Sequence, residues 1–97
     1  MLYKFKSKAD SDLFMNQGPA ERILTIIGKE PGAQGIIEPE AMAEAIARLQ
    51  AAVAEEDRLH EAQGGAARGV TLQQRAWPFL QLLRRSLDAD EPIVWGV

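Results

Sequence analysis

The segment that opens with Glu38-Pro39-Glu40 and runs to about Ala62 constrains this chain more than any other. Proline suits the first position of a helix, where its missing N–H has no partner to lose. Carboxylates there favour the positive end of the helix dipole. Met42, Ile46, Leu49 and Val53 then step by four, three and four, which places them in one apolar stripe. Ala43, Ala45, Ala47, Ala51, Ala52 and Ala54 raise helix propensity and let a neighbour come close. A helix this long with one apolar face has to be covered, and the segments on either side are what can cover it.

On the N-terminal side, Leu2 to Ser7 alternates, with Tyr3 and Phe5 pointing one way and Lys4 and Lys6 the other. That period of two, with aromatics, predicts a half-buried strand. Lys8-Ala9-Asp10-Ser11 reads as a turn, and Leu13-Phe14-Met15 as the returning strand of a hairpin. A helix starting at Ser11 is the competing reading. Gly18-Pro19 would cut it short, because proline disfavours helical geometry in the residue before it. Pro19 suits the first position of the next helix, with Glu21 near its positive end and Ala20, Ile23, Leu24 and Ile27 as its buried face. Gly28 is the expected C-terminal stop. Lys29 to Ile37, carrying Pro31, Gly32 and Gly35, reads as a loop anchored by Ile36-Ile37.

On the C-terminal side, Gly64-Gly65-Ala66-Ala67-Arg68-Gly69 reads as a flexible link. Thr71 and Gln74 have capping-box spacing. Leu72, Ala76, Phe79, Leu80, Leu83 and Leu87 follow at helical spacing, with Pro78 inside the helix, where it predicts a kink or a reset start. Ile93-Val94-Trp95-Gly96-Val97 is β-prone and apolar. The expected fold class is α+β. A small antiparallel sheet, made of the N-terminal hairpin plus the C-terminal strand, packs on about three helices in the order β-β-α-α-α-β. The 97 residues are expected to form a single domain. Isolated two-stranded hairpins are marginal, so the last strand is expected to join the first or second.

Composition narrows the function. A net charge of −3 disfavours nucleic acid as the main partner. The absence of cysteine removes disulfides, thiolate nucleophiles and cysteine-rich zinc sites, and fits a reducing compartment. Lysines interrupt the first residues, so no signal peptide is expected, and no apolar run approaches the ~20 residues of a membrane span. The expected location is cytoplasmic, without membrane contact.

The individual candidates for chemistry each have a plainer explanation. His60 is the sole histidine, and Glu56 one turn earlier gives too few ligands for a conventional metal site. Glu55-Glu56-Asp57 are consecutive helical positions that diverge and do not converge on one ion. Ser7, Ser11, Ser86, Thr25 and Thr71 lack the signature of an activated nucleophile. Gly64 to Gly69 has the glycine gap of a phosphate loop, but Val70 stands where its lysine would be. No catalytic residue, metal or cofactor site is therefore expected.

Two surfaces remain. Lys4, Lys6 and Lys8 share one side of the first strand, and Arg75, Arg84 and Arg85 lie on the last helix. They read first as protection of a sheet edge and second as a basic patch for RNA or an acidic partner. Trp77 with Pro78, and the tail with Trp95 and Val97, read first as core and second as an interaction surface, since tryptophan is enriched at binding hot spots.

Several segments together carry a family resemblance: Leu2-Tyr3-Lys4-Phe5-Lys6-Ser7, Ile27-Gly28-Lys29-Glu30-Pro31, Gly35-Ile36-Ile37-Glu38-Pro39, Gln74-Arg75-Ala76-Trp77-Pro78 and Pro92-Ile93-Val94-Trp95-Gly96-Val97. Across nearly the whole chain this set resembles a small proteobacterial family designated as a domain of unknown function, number 1840. The resemblance implies a stand-alone bacterial cytoplasmic domain and transfers no catalytic residue. The leading functional expectation is a non-enzymatic interaction or adaptor domain, as a homodimer or with another protein. The alternatives are a small-ligand or RNA-binding domain using Lys4, Lys6 and Arg75, and an enzyme with a cleft formed by Glu30, Arg75 and Trp77.

Overall fold

The structure, a computed structural model, describes residues 2–62 and 72–96, apart from the side chains of residues 60–62. Its elements are β1 (Leu2–Lys6), β2 (Leu13–Asn16), α1 (Gln17–Ile26), β3 (Gly35–Ile37), α2 (Pro39–Ala62), α3 (Leu72–Asp88) and β4 (Ile93–Trp95). The fold is α+β, with an antiparallel sheet in the order β2-β1-β4-β3 and the helices in the expected sequence. The hairpin is present, with Tyr3 opposite Met15 and Phe5 opposite Leu13. The C-terminal strand joins β1, where Phe5 faces Trp95 and Lys6 faces Val94.

Two local expectations need correction. The segment read as a loop up to Ile37 contains β3, which extends the sheet beyond the three expected strands by pairing Ile36 with Val94 and Ile37 with Ile93. Three residues are too few to show an alternating pattern, and Gly35 masks the signal further. The first helix begins at Gln17, two residues before Pro19. Proline is tolerated there because the N–H groups of a first turn have no intrahelical partner. Glu21 thus falls just past the first turn.

Helix α1 ends as expected at Gly28, whose φ is 88°. The Lys29 N–H donates to the Leu24 carbonyl (2.8 Å) and the Gly28 N–H to the Thr25 carbonyl (3.1 Å), which makes a Schellman motif. Helix α3 closes with the same pair of bonds, Glu91 to Ser86 (2.9 Å) and Asp90 to Leu87 (3.1 Å), with Asp90 at φ 56° in the glycine position. Pro78 lies inside α3, which continues through it from Leu72 to Asp88. The expected cap at Thr71 and the link at residues 64–69 lie outside the described residues.

The helices cover one face of the sheet. Tyr3, Phe5, Met15, Ile37, Ile93 and Trp95 project from the strands into the core. They meet Ala20, Ile23 and Leu24 of α1, Met42, Ala45 and Leu49 of α2, and Ala76, Phe79, Leu82 and Leu83 of α3. Phe5 is the hub. Its ring packs edge-on against Phe79 at 4.9 Å and against Trp95 at 5.8 Å. Tyr3 reaches through this layer to donate its hydroxyl to Glu21 (3.0 Å). Burial, reinforced by that hydrogen bond and the Glu21 charge, raises the Tyr3 pKa above its ordinary value.

Candidate functional site

The residues of the predicted basic face come from two elements, β1 and α3. Lys4 and Lys6 stand on the open side of β1, because the alternation that sends Tyr3 and Phe5 inward sends the lysines outward. Lys4 is 3.5 Å from Asp12 and 5.8 Å from the centre of the Phe14 ring. Arg75 belongs to α3, on the covered side of the sheet, beside Gly18, Pro19 and Arg22 of α1. Arg75 also lines a hollow with Leu2 and Phe14, so it reaches the β2 edge of the sheet, near the ring that Lys4 approaches. The predicted cleft of Glu30, Arg75 and Trp77 does not form. Arg75 and Trp77 are two residues apart on a helix and point to different sides. Glu30 follows the end of α1.

The acidic run divides as its spacing requires. Glu55 pairs with Arg58 and Glu56 with Arg22, the latter at 3.2 Å. Hydrogen bonding and charge from Arg58 hold the Glu55 carboxyl below its ordinary pKa. Among the described residues no three His, Asp or Glu side chains gather as a metal site. The His60 side chain lies outside those residues. Ser7 and Ser86 meet across the fold, Oγ to Oγ at 2.7 Å, and the Ala9 N–H also bonds to Ser7 Oγ. Ser86 is fully buried, and this pair supplies its hydroxyl with a partner.

The tryptophans separate completely. Trp95 is 2% exposed. Its indole N–H donates to the Gly32 carbonyl at 3.1 Å, and its ring lies across Gly35, where an added Cβ would come within 2.0 Å of it. Trp77 is 57% exposed, against the simplest sequence expectation of a core residue. Helix α3 already fills its inner side with Ala76, Phe79, Leu80 and Leu83, which leaves Trp77 on the flank. Val97, the other tail residue considered for recognition, lies outside the described residues.

Trp77 lines a groove of about 580 Å³ with Gln50, Val53, Ala54 and Asp57 of α2 and Gln73, Gln74, Leu80 and Arg84 of α3. The two helices run antiparallel: Ile37, just before α2, pairs with Ile93, just after α3, so those helix ends lie together. Asp57 therefore sits toward one end of the groove and Arg84 toward the other, with Val53, Ala54, Trp77 and Leu80 between them. Sequence reasoning singles out Trp77 here as a contact residue, and Arg84 only as part of a basic patch. A signal for the rest exists: Gln50, Val53, Ala54 and Asp57 are spaced i, i+3, i+4 and i+7, and Gln73, Trp77, Leu80 and Arg84 repeat one helical face. The groove gathers apolar surface with one acidic and one basic side chain toward its ends.

A second exposed apolar region lies on the open sheet face. Leu2 and Phe14 are each 56% exposed, and Ile36 on the same sheet is exposed too. No helix of the described residues is long and apolar enough to cross a membrane. No curated protein and no solved structure matches this chain. A family model matches residues 1–95, and the chain belongs to the family described as Domain of unknown function (DUF1840).

Proposed function

We propose that this chain is a non-enzymatic protein-interaction domain whose contact surface is the α2–α3 groove around Trp77. The exposure of Trp77 carries the reading. A large indole held on a rigid helix, in a concave apolar setting, has the chemistry of an interface anchor. Val53, Ala54 and Leu80 give the groove apolar lining, and Gln50, Gln73, Asp57 and Arg84 polar lining. The lack of cysteine suits work in a reducing compartment such as a bacterial cytoplasm.

A photoreactive residue replacing Ala54 or Gln73 in the full chain tests this surface. Irradiation in living cells should give protein adducts of discrete mass from those positions and none from Thr25, on the exposed side of α1. Equal adducts from all three, or none from the groove, would remove the proposal.

The runner-up is a ligand or RNA surface on the open sheet face. It is favoured by Phe14, which stands exposed next to Lys4, where a base can stack on it. It requires salt-dependent binding of a single-stranded oligonucleotide that is lost in Phe14→Ala. The absence of binding at low salt removes it.

A further inference from the structure

The groove carries one acidic and one basic side chain, toward opposite ends. On α2 and α3, Arg48, Arg58 and Arg85 each hold a carboxylate, supplied by Glu44, Glu55 and Asp10. Glu56 is held by Arg22. Asp57 and Arg84 have no ion pair among the described residues, as is true of Glu40, Arg75 and Asp88 on the same helices; what sets the two apart is that they line the groove. They lie toward opposite ends of one apolar strip and do not pair with each other.

Such a strip is complementary to itself. A half-turn about an axis through the middle of the strip lays the acidic end of one copy on the basic end of another, and the reverse. Trp77 lies between those ends on α3, so the two indoles approach each other near the axis. We propose that the groove is occupied by a second copy of this chain, forming a two-fold dimer in which Asp57 of each copy pairs with Arg84 of the other and the Trp77 side chains are buried at the centre. The proposal rests on the groove being the contact surface and names its partner.

The test uses the full chain. Sedimentation should give a mass twice the 10.7 kDa of one chain, falling to the single mass on dilution. Tryptophan emission should shift to the red as the dimer dissociates. That shift reports Trp77, because Trp95 is already buried. Asp57→Arg and Arg84→Asp should each weaken self-association by about tenfold or more, through like-charge contacts made twice per dimer. Mixing the two variants should restore a dimer, since both contacts of the mixed pair then join an arginine of one copy to an aspartate of the other. Circular dichroism of each variant checks that it is folded.

A wild-type chain that stays monomeric at millimolar concentration overturns the proposal. So does a dimer indifferent to both charge swaps, which would place the contact elsewhere, such as a sheet edge. If residues 63–71 of the same chain fill the groove, the wild type is monomeric and its emission is independent of concentration, which also overturns it. Discrete adducts from Ala54 or Gln73 to a different protein, alongside a monomeric chain, would leave the groove as a contact surface and remove only the second copy.

Discussion

Trp95 and Trp77 are the chain's two tryptophans, and the fold uses them in opposite ways. Trp95 stands on β4, between β1 and β3, and points into the helix-covered face. Phe5 flanks it on one side and Gly35 lies opposite on the other. Its single polar atom is bonded to Gly32. Trp77 is on a helix whose core-facing positions are already occupied, and its indole N–H has no hydrogen bond among the described residues. The same side chain is structural in one place and left over in the other. What decides is the layer that its element occupies. An interior strand is enclosed from both sides, whereas a helix flank is enclosed only if another element arrives.

This contrast can be broken most directly at Trp95. Trp95→Ala should cost about 3–5 kcal/mol, the usual loss for a fully buried large aromatic, and lower the urea midpoint accordingly. An unchanged midpoint would move Trp95 out of the core and erase the difference. Gly35→Ala approaches the same ring from the other side. Its Cβ cannot coexist with the indole at 2.0 Å, so strand or ring must shift, at a cost of about 1–3 kcal/mol. If Gly35→Ala is neutral, the ring is free to move and Trp95 is less firmly held than its burial implies. Trp95→Phe keeps an aromatic and deletes the bond to Gly32. It should cost about 1 kcal/mol for the hydrogen bond, plus a smaller packing loss. A cost as large as that of Trp95→Ala would mean that ring size, and not burial as such, holds the site together.

How far these roles can be read from sequence depends on how local each signal is. The strand β1 is legible because Tyr3, Lys4, Phe5 and Lys6 alternate within one element. The long helix is legible because Met42, Leu49 and their stripe repeat along its length. Gly28 announces its own cap, while Asp90 does not, since an aspartate in the left-handed region carries no sequence mark. β3 is hidden because a three-residue strand is defined by its neighbour: Ile36 and Ile37 become strand by pairing with Val94 and Ile93, far along the chain. The placing of the basic residues is hidden for the same reason. Lys4 and Arg75 look alike in charge, and only the fold shows one on β1 and the other on α3, with Phe14 near both. The groove is half legible. Trp77 draws attention by its type, while Asp57 and Arg84 become notable only once the packing of α2 on α3 brings them to one groove.

Trp77→Ala has the smallest expected effect on the fold itself. Alanine has the higher helix propensity, which offsets part of the packing removed with a side chain that is more than half exposed. The net change in the isolated chain should stay within about 0.5 kcal/mol, as for ordinary surface positions. A dimer changes what is measured, because association stabilises the folded form by mass action. The wild-type midpoint should therefore rise with protein concentration, and the Trp77→Ala midpoint should not. The two proteins would agree when dilute and separate when concentrated. Parallel concentration dependence in both would show that any association leaves Trp77 untouched. A large loss at every concentration would show that Trp77, like Trp95, belongs to the body of the fold.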